Sequence, residues 1–100
     1  MVTVMDGDPA VVRLAGELDI AGVPLLTAAL AQHGGDVELH CSRLTFLAAA
    51  GVNAFVVAHQ AYAERGSKLI IVDPSRAVLR VLRLVDLETY LNIRHDGSSP

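Results

Sequence analysis

The sequence has no tryptophan, only two tyrosines and two phenylalanines, and a single cysteine. With Cys41 alone, no disulfide can close within the chain, which fits a reducing compartment. No apolar run approaches the roughly 20 residues that span a bilayer; the longest, 46–58, is interrupted by Gly51 and Asn53. The first residues run straight into Asp6 and Asp8, without the basic start and apolar core of a secretory signal, so a cytoplasmic protein is expected. Lysine and arginine together number 8 against 11 acidic residues, for a net charge of −3. The basic residues do not gather beyond two in a short window, so neither nucleic acid nor membrane insertion is expected of this chain.

What the chain does have is apolar bulk. Hydrophobic residues make up 52 % and charged ones 19 % of its 100 residues. One domain of this size buries roughly 65 % of its unfolded surface, enough for a core without staples. We read that domain over residues 1–94, followed by a polar, frayed tail over 95–100.

Met1 to Met5 and Val11 to Leu18 are β-prone runs separated by Asp6-Gly7-Asp8-Pro9, strong turn chemistry for a hairpin. Pro24 suits a first helical turn, and Leu25, Leu26, Ala29, Leu30 and His33 recur at helical spacing until Gly34-Gly35. Val37, Leu39 and Cys41 alternate with Glu38, His40 and Ser42, the pattern of a strand with one wet face. A second helix carries Val52, Phe55, Val56, His59, Tyr62 and Ala63 on its inner face and stops at Arg65-Gly66. Lys68-Leu69-Ile70-Ile71-Val72 reads as a buried central strand. Asp73-Pro74-Ser75 breaks it and starts a last helix with Val78, Val81, Leu82 and Val85 inward, and Leu91-Asn92-Ile93 is a short final strand. The order β-β-α-β-α-β-α-β predicts an α/β fold with a mixed sheet and right-handed crossovers.

The junction between the third strand and the second helix is Leu44-Thr45-Phe46-Leu47-Ala48-Ala49-Ala50-Gly51-Val52. A helix N-terminus gathers free N–H groups and partial positive charge, a natural seat for an anion or a partner. Here it holds three alanines, with no hydroxyl, carboxylate or lysine among them, which argues against chemistry at this spot. The alanines form either a tightly packed turn or a flat docking surface, and Gly51 is either a plain helix residue or a point of close backbone approach. Asp19 is a solvated strand end, a helix cap or an acidic contact beside the junction. Thr45 and Ser75 are structural hydroxyls, with modification as the alternative reading. His33, His40, His59 and His95 sit on separate elements with no carboxylate at ligand spacing, so no metal site is expected. Cys41 lacks a base or oxyanion donor, and no catalytic motif stands out; we expect no catalytic residues and no cofactor.

With these elements in order the chain resembles a STAS domain, the family of anti-sigma factor antagonists. Gly16-Glu17-Leu18-Asp19 is similar to the family's Gly-Glu-Leu-Asp after its second strand. Leu44 to Leu47 followed by Gly51-Val52 resembles the run into its phosphorylation loop, and Asp73-Pro74-Ser75 with Val78 through Leu87 resembles its closing helix. The resemblance covers Val11 to Ile93. It implies a STAS-like α/β fold with a mixed sheet of four to five strands, an initial hairpin and three main helices.

Three departures stand out. Ala48 occupies the family's loop aspartate, Ala49 the serine that a partner kinase phosphorylates, and Asp86 a glycine of the closing helix. The family implies a non-enzymatic module that binds a serine-kinase anti-sigma factor and so frees a sigma factor. Phosphorylation adds about −1.5 to −2 charge at that interface and weakens it; Ala49 has no oxygen to accept the group, so no phosphorylation site is expected. The implied partner surface comprises Asp19, Thr45, Ala48, Ala49, Ala50, Gly51, Asn53, Ala54 and Val57, the last three falling outside the inner stripe of the second helix. A second reading is a scaffold or accessory subunit of a stressosome-like or lipid-transport complex, as a homo-oligomer or with other STAS proteins. A third is a small-ligand or nucleotide site at Ala48–Gly51, for which Arg43 is the only nearby cation.

Overall fold

The turn residues and the period-two runs at the start of the chain build a hairpin. In a computed structural model, which describes residues 2–97, β1 (Val2–Met5) pairs antiparallel with β2 (Ala10–Leu18). The chain continues through α1 (Val23–Ala31), β3 (Val37–Leu47), α2 (Ala49–Glu64), β4 (Leu69–Val72), α3 (Arg76–Leu84) and β5 (Asn92–Arg94). The sheet has five strands in the order β1-β2-β3-β4-β5, with every pairing after the hairpin parallel. Each parallel step is bridged by one helix, as parallel strands require. The mixed α/β architecture expected from the element order is the one observed.

The register places Ala10, Val37 and Leu69 side by side, and next to them Val12, Leu39, Ile71 and Ile93. These residues line one face of the sheet. Leu26 and Leu30 of α1, Phe55 and Tyr62 of α2, and Val78 and Leu82 of α3 join them in a single apolar cluster, so all three helices cover that face. Cys41 is wholly enclosed there, and burial pushes its thiol up to about 12, the behaviour of a small core residue rather than a nucleophile.

The opposite face carries Arg13, Glu38, His40 and Arg94 in adjacent registers. Glu38 accepts from His40 Nε2 at 3.1 Å and from Arg94 at 2.9 Å. These bonds, His40 first and Arg94 second, hold its carboxyl below the ordinary range. The reading that no carboxylate lies at ligand spacing from the histidines is therefore corrected at His40: residues two apart on a strand share a face, and Glu38 meets His40 that way. Among the described residues no group of three or more His, Cys, Asp or Glu side chains is arranged to hold a metal ion. Among the described residues no helix is long and apolar enough to cross a membrane.

Several positions differ from their expected place. α1 ends at Ala31, leaving His33 beyond it, and Leu25 is exposed. Ala63 of α2 and Val85, which follows α3, are exposed rather than inward. The third strand does not stop at Cys41 but runs to Leu47. Along β3, the steps from His40 to Arg43 and from Leu44 to Phe46 each hold one residue more than the facing steps of β2. Two such irregularities shift the inward phase, which is why Leu44 and Leu47, three apart, are both buried. The start of the tail is tied down: the N–H groups of Asp96 and Gly97 donate to Asp73 Oδ1 at 2.6 and 3.2 Å. Residues 98–100 of the expected frayed tail, and Met1, lie outside the described residues.

Two non-glycine residues have positive φ, Asp73 at 49° and Asp86 at 59°. The second accounts for the glycine expected at that position: the chain leaves α3 through a left-handed residue, where glycine avoids the Cβ penalty and aspartate tolerates it.

Candidate functional site

The β3–α2 junction is assembled by backbone. The N–H of Ala48 donates to Leu18 O at 3.0 Å, which sets the end of β2 against the start of α2. Ala48 is the N-cap, extended at φ −80° and ψ 167°, with no side-chain cap. Val52 returns its N–H to Ala48 O at 3.0 Å, while the N–H groups of Ala49, Ala50 and Gly51 meet no acceptor among the described residues. The helix thus begins with its positive end open and uncapped, and no acidic residue occupies its first turn.

Gly51 settles one of the sequence alternatives. A Cβ there would lie 2.7 Å from Leu47 Cδ1 and 3.0 Å from both Leu18 Cγ and Leu18 O. Leu47 has a mobile tip, but a carbonyl of β2 cannot step aside, so this is a point of close approach and α2 sits as near to β2 as a glycine allows.

Asp19 does not cap α1, whose N-cap is Gly22. Its Oδ1 accepts instead from the N–H groups of Ala21 and Gly22, both at 3.1 Å, closing the turn ahead of that helix. It lies beside the junction through its neighbour Leu18. Thr45 is exposed on β3 and donates from Oγ1 to Gly16 O at 2.9 Å, so it staples the two strands and caps no helix. Ser75 caps α3 by accepting from Val78 N at 3.3 Å, and it donates to Leu44 O at 2.5 Å. Both hydroxyls have structural partners.

Of the other expected contact residues, Ala49, Asn53 and Val57 are exposed, and Ala48 and Ala50 are half-buried. Ala54 is half-buried and packs against the core, a correction to its expected exposure that follows from its place between the inner stripe and α1. Ala50, Asn53, Ala54 and Val57 form one wall of an open, largely apolar cavity of about 400 Å³ whose other wall is Val23, Leu26, Thr27 and Leu30 of α1. The structure therefore gathers Ala49, Asn53 and Val57 on one helix edge with Ala50 and Ala54 beside them, buries Gly51 contrary to its expected place on the contact surface, and places Asp19 and Thr45 at the adjoining strand ends.

Two residues of this end of the molecule were not anticipated. Ile20 is 79 % exposed just after β2, and Phe46 is 50 % exposed near the end of β3, paired in register with Glu17. The sequence held no signal for Phe46: the second bulge against β2 buries Leu44 and Leu47, three apart, and so turns the intervening Phe46 outward. The surface around the junction is thus richer in large apolar side chains than the alanines alone suggested.

A family model described as "Mlab, STAS domain" matches residues 1–94. No curated protein matches the chain. Among solved structures, the chain is similar to the anti-sigma factor antagonist SpoIIAA in its unphosphorylated form, at 17 % identity and a TM-score of 0.76, covering 98 % of this chain and 90 % of that one. It is also similar to a putative anti-sigma factor antagonist from Thermotoga maritima, at 23 % identity and a TM-score of 0.77, covering 98 % and 87 %. An anti-sigma factor antagonist from Mycobacterium paratuberculosis matches at 20 % identity and a TM-score of 0.80, covering 94 % and 84 %. At these identities the likeness is one of fold.

Proposed function

The chain belongs to the STAS-domain family, and on that footing we propose that it is a non-enzymatic protein-interaction module of the anti-sigma antagonist kind. It binds a serine-kinase anti-sigma factor in the cytoplasm and releases a sigma factor, without the usual phosphoserine switch. The carrying observation is the open N-terminus of α2, where the N–H groups of Ala49, Ala50 and Gly51 meet no acceptor among the described residues and Ala48, Ala49 and Ala50 offer methyl groups but no hydroxyl.

In this reading Ala48 and Ala49 stand at the family's aspartate and serine. The contact surface runs from Asp19, Ile20, Thr45 and Phe46 across Ala49 to Asn53 and Val57. Because no residue of the loop accepts a phosphoryl group, binding is constitutive and does not respond to ATP. The test is a pull-down with this chain as bait, followed by ATP challenge and intact-mass measurement of the bait. Retention of one serine-kinase-type protein that ATP does not release, with no phosphoryl mass gain on the bait, supports the reading. Release by ATP with a mass gain sinks it.

A second reading is a scaffold or accessory subunit of a stressosome-like or lipid-transport complex, in which the same surface docks without any switch. Co-purification with transporter subunits, rather than a kinase, selects it.

A further inference from the structure

The last helix has the sequence Arg76-Ala77-Val78-Leu79-Arg80-Val81-Leu82-Arg83-Leu84. Val78 and Leu82 are wholly buried, which turns Arg76, Arg80 and Arg83 to the solvent side, where all three are exposed. Spaced four and then three residues apart, they form a stripe about 10 Å long on one helix face. A count of basic residues in short windows overlooks this, because the helical period, not sequence adjacency, brings the three together.

The stripe opposes helix stability. Arg76 occupies the first helical position, at the positive end of the dipole, and no acidic residue lies in the first turn. Arg76 with Arg80, and Arg80 with Arg83, are like-charge pairs at the two neighbouring spacings. Only Arg83 has an ion-pair partner among the described residues, Glu88 at 2.9 Å. Two large apolar side chains are exposed at the C-terminal end of the stripe, Leu84 at 76 % and Val85, while Tyr90, also exposed, lies against His59 and Gln60 of α2. In a chain of net charge −3, three of its eight basic residues stand on this helix without an acid among them.

We propose that the outer face of α3 is a second docking surface, distinct from the β3–α2 junction, and that it takes an acidic amphipathic helix of a partner protein. Carboxylates at the i, i+4 and i+7 positions of that helix face Arg76, Arg80 and Arg83, and apolar residues one turn further on cover Leu84 and Val85. The mixture of arginine and exposed aliphatic residues suits a protein partner, since arginine is enriched where interfaces are strongest. A bilayer is the poorer fit, because three surface arginines hold an anionic membrane only weakly and the apolar side of α3 is committed to the core. A second copy of this chain is poorer still: none of its helices carries more than one acidic residue.

The probe is a fluorescein-labelled helical peptide with glutamates at i, i+4 and i+7 followed by leucines, read by anisotropy against the full chain. We expect the glutamate peptide to bind, its affinity to fall about tenfold from about 50 to about 300 mM salt, and the glutamine version to bind far more weakly. Arg80→Glu is expected to weaken binding about tenfold or more, and Arg80→Gln serves as the milder variant if the reversal impairs folding. Asn53→Arg, on the junction surface, is expected to leave this affinity unchanged, so failure here and failure of the antagonist reading remain separable. The proposal is overturned by no binding of the glutamate peptide, by equal binding of the two peptides, by indifference to the Arg80 variants, or by tighter binding to phosphatidylglycerol vesicles than to the peptide.

Discussion

Ala48 is the clearest position at which the sequence departs from what its own backbone asks for. It sits at the N-cap of α2 in extended conformation, with no side-chain acceptor and with three N–H groups beyond it unmet among the described residues. Serine or aspartate at such a position accepts one of those N–H groups and is worth about 0.5–2 kcal/mol over alanine. A carboxylate adds about 0.3–1 kcal/mol from the helix dipole. Against this, Ala48 is half-buried, and Asp19 lies close by through the Ala48–Leu18 hydrogen bond, so part of the charge gain is lost to repulsion. We expect Ala48→Ser to stabilise the domain by about 1 kcal/mol, and Ala48→Asp by a similar or slightly larger amount. Each kcal/mol raises the melting midpoint by about 4–8 °C in a domain of this size. Calorimetry of the three proteins at one pH is the assay. If neither variant melts higher than the parent, the first turn of α2 is not short of acceptors and the argument built on its open end is wrong. If serine stabilises and aspartate does not, the like charge of Asp19 outweighs the dipole, and lowering the pH towards carboxylate protonation narrows the gap.

Three further outcomes follow from the same geometry. Gly51→Ala gains about 1 kcal/mol of helix propensity but drives a methyl group against Leu18 O, at an overpacking cost of about 1–3 kcal/mol, so a net loss of stability is expected; a chemical denaturation midpoint above the parent's refutes the close approach. Ser75→Ala removes both the α3 cap and the bond to Leu44 O, and is expected to cost about 1–2 kcal/mol in the same measurement, more than Thr45→Val, whose single bond is exposed. Glu38 has its carboxyl pKa lowered in the folded state, so its bonds to His40 and Arg94 contribute fully above the ordinary value of 4.5 and are lost as pH falls through the lower folded value; Glu38→Gln should flatten the fall in stability across that acid range, and an unchanged slope counts against the bonds being made in solution.

The hairpin, the three helices and the closing strand were legible because each is announced by local chemistry. Asp6 to Pro9 cannot continue a strand, Pro24 fits a first helical turn, and Ser75 directly precedes an apolar periodicity that it caps. The end of β3 was not legible, because its two extra residues are a property of pairing with β2, and nothing within Val37–Leu47 states how many residues face each partner. That omission hid the outward turn of Phe46 and with it the apolar rim of the site. Asp19 was ambiguous for a related reason: its carboxylate has several N–H groups within reach along the chain, and only the position of Gly22 decides which it takes. The arginines of α3 were in view, but their alignment is visible only once Val78 and Leu82 are fixed as the inward pair.

The two surfaces differ in the kind of selectivity each can exert. At the α2 end the groups on offer are backbone N–H, methyl and the faces of Ile20, Phe46 and Val57, all of which recognise shape and tolerate little change in distance. Gly51 is part of that requirement, since a helix held against a β2 carbonyl cannot shift its first turn without losing the Ala48–Leu18 bond. On the proposed reading affinity there follows from fit, and none of the three loop alanines carries a hydroxyl. The outer face of α3 is the converse: its arginines are mobile and solvated, attract at a distance, and weaken with salt. A partner engaging both surfaces would be steered by α3 and selected at α2, so charge reversal on α3 should slow association while substitution at Asn53 or Phe46 should speed dissociation. Independent control of the two rate constants is the behaviour that distinguishes a two-surface adaptor from a module with one sticky end.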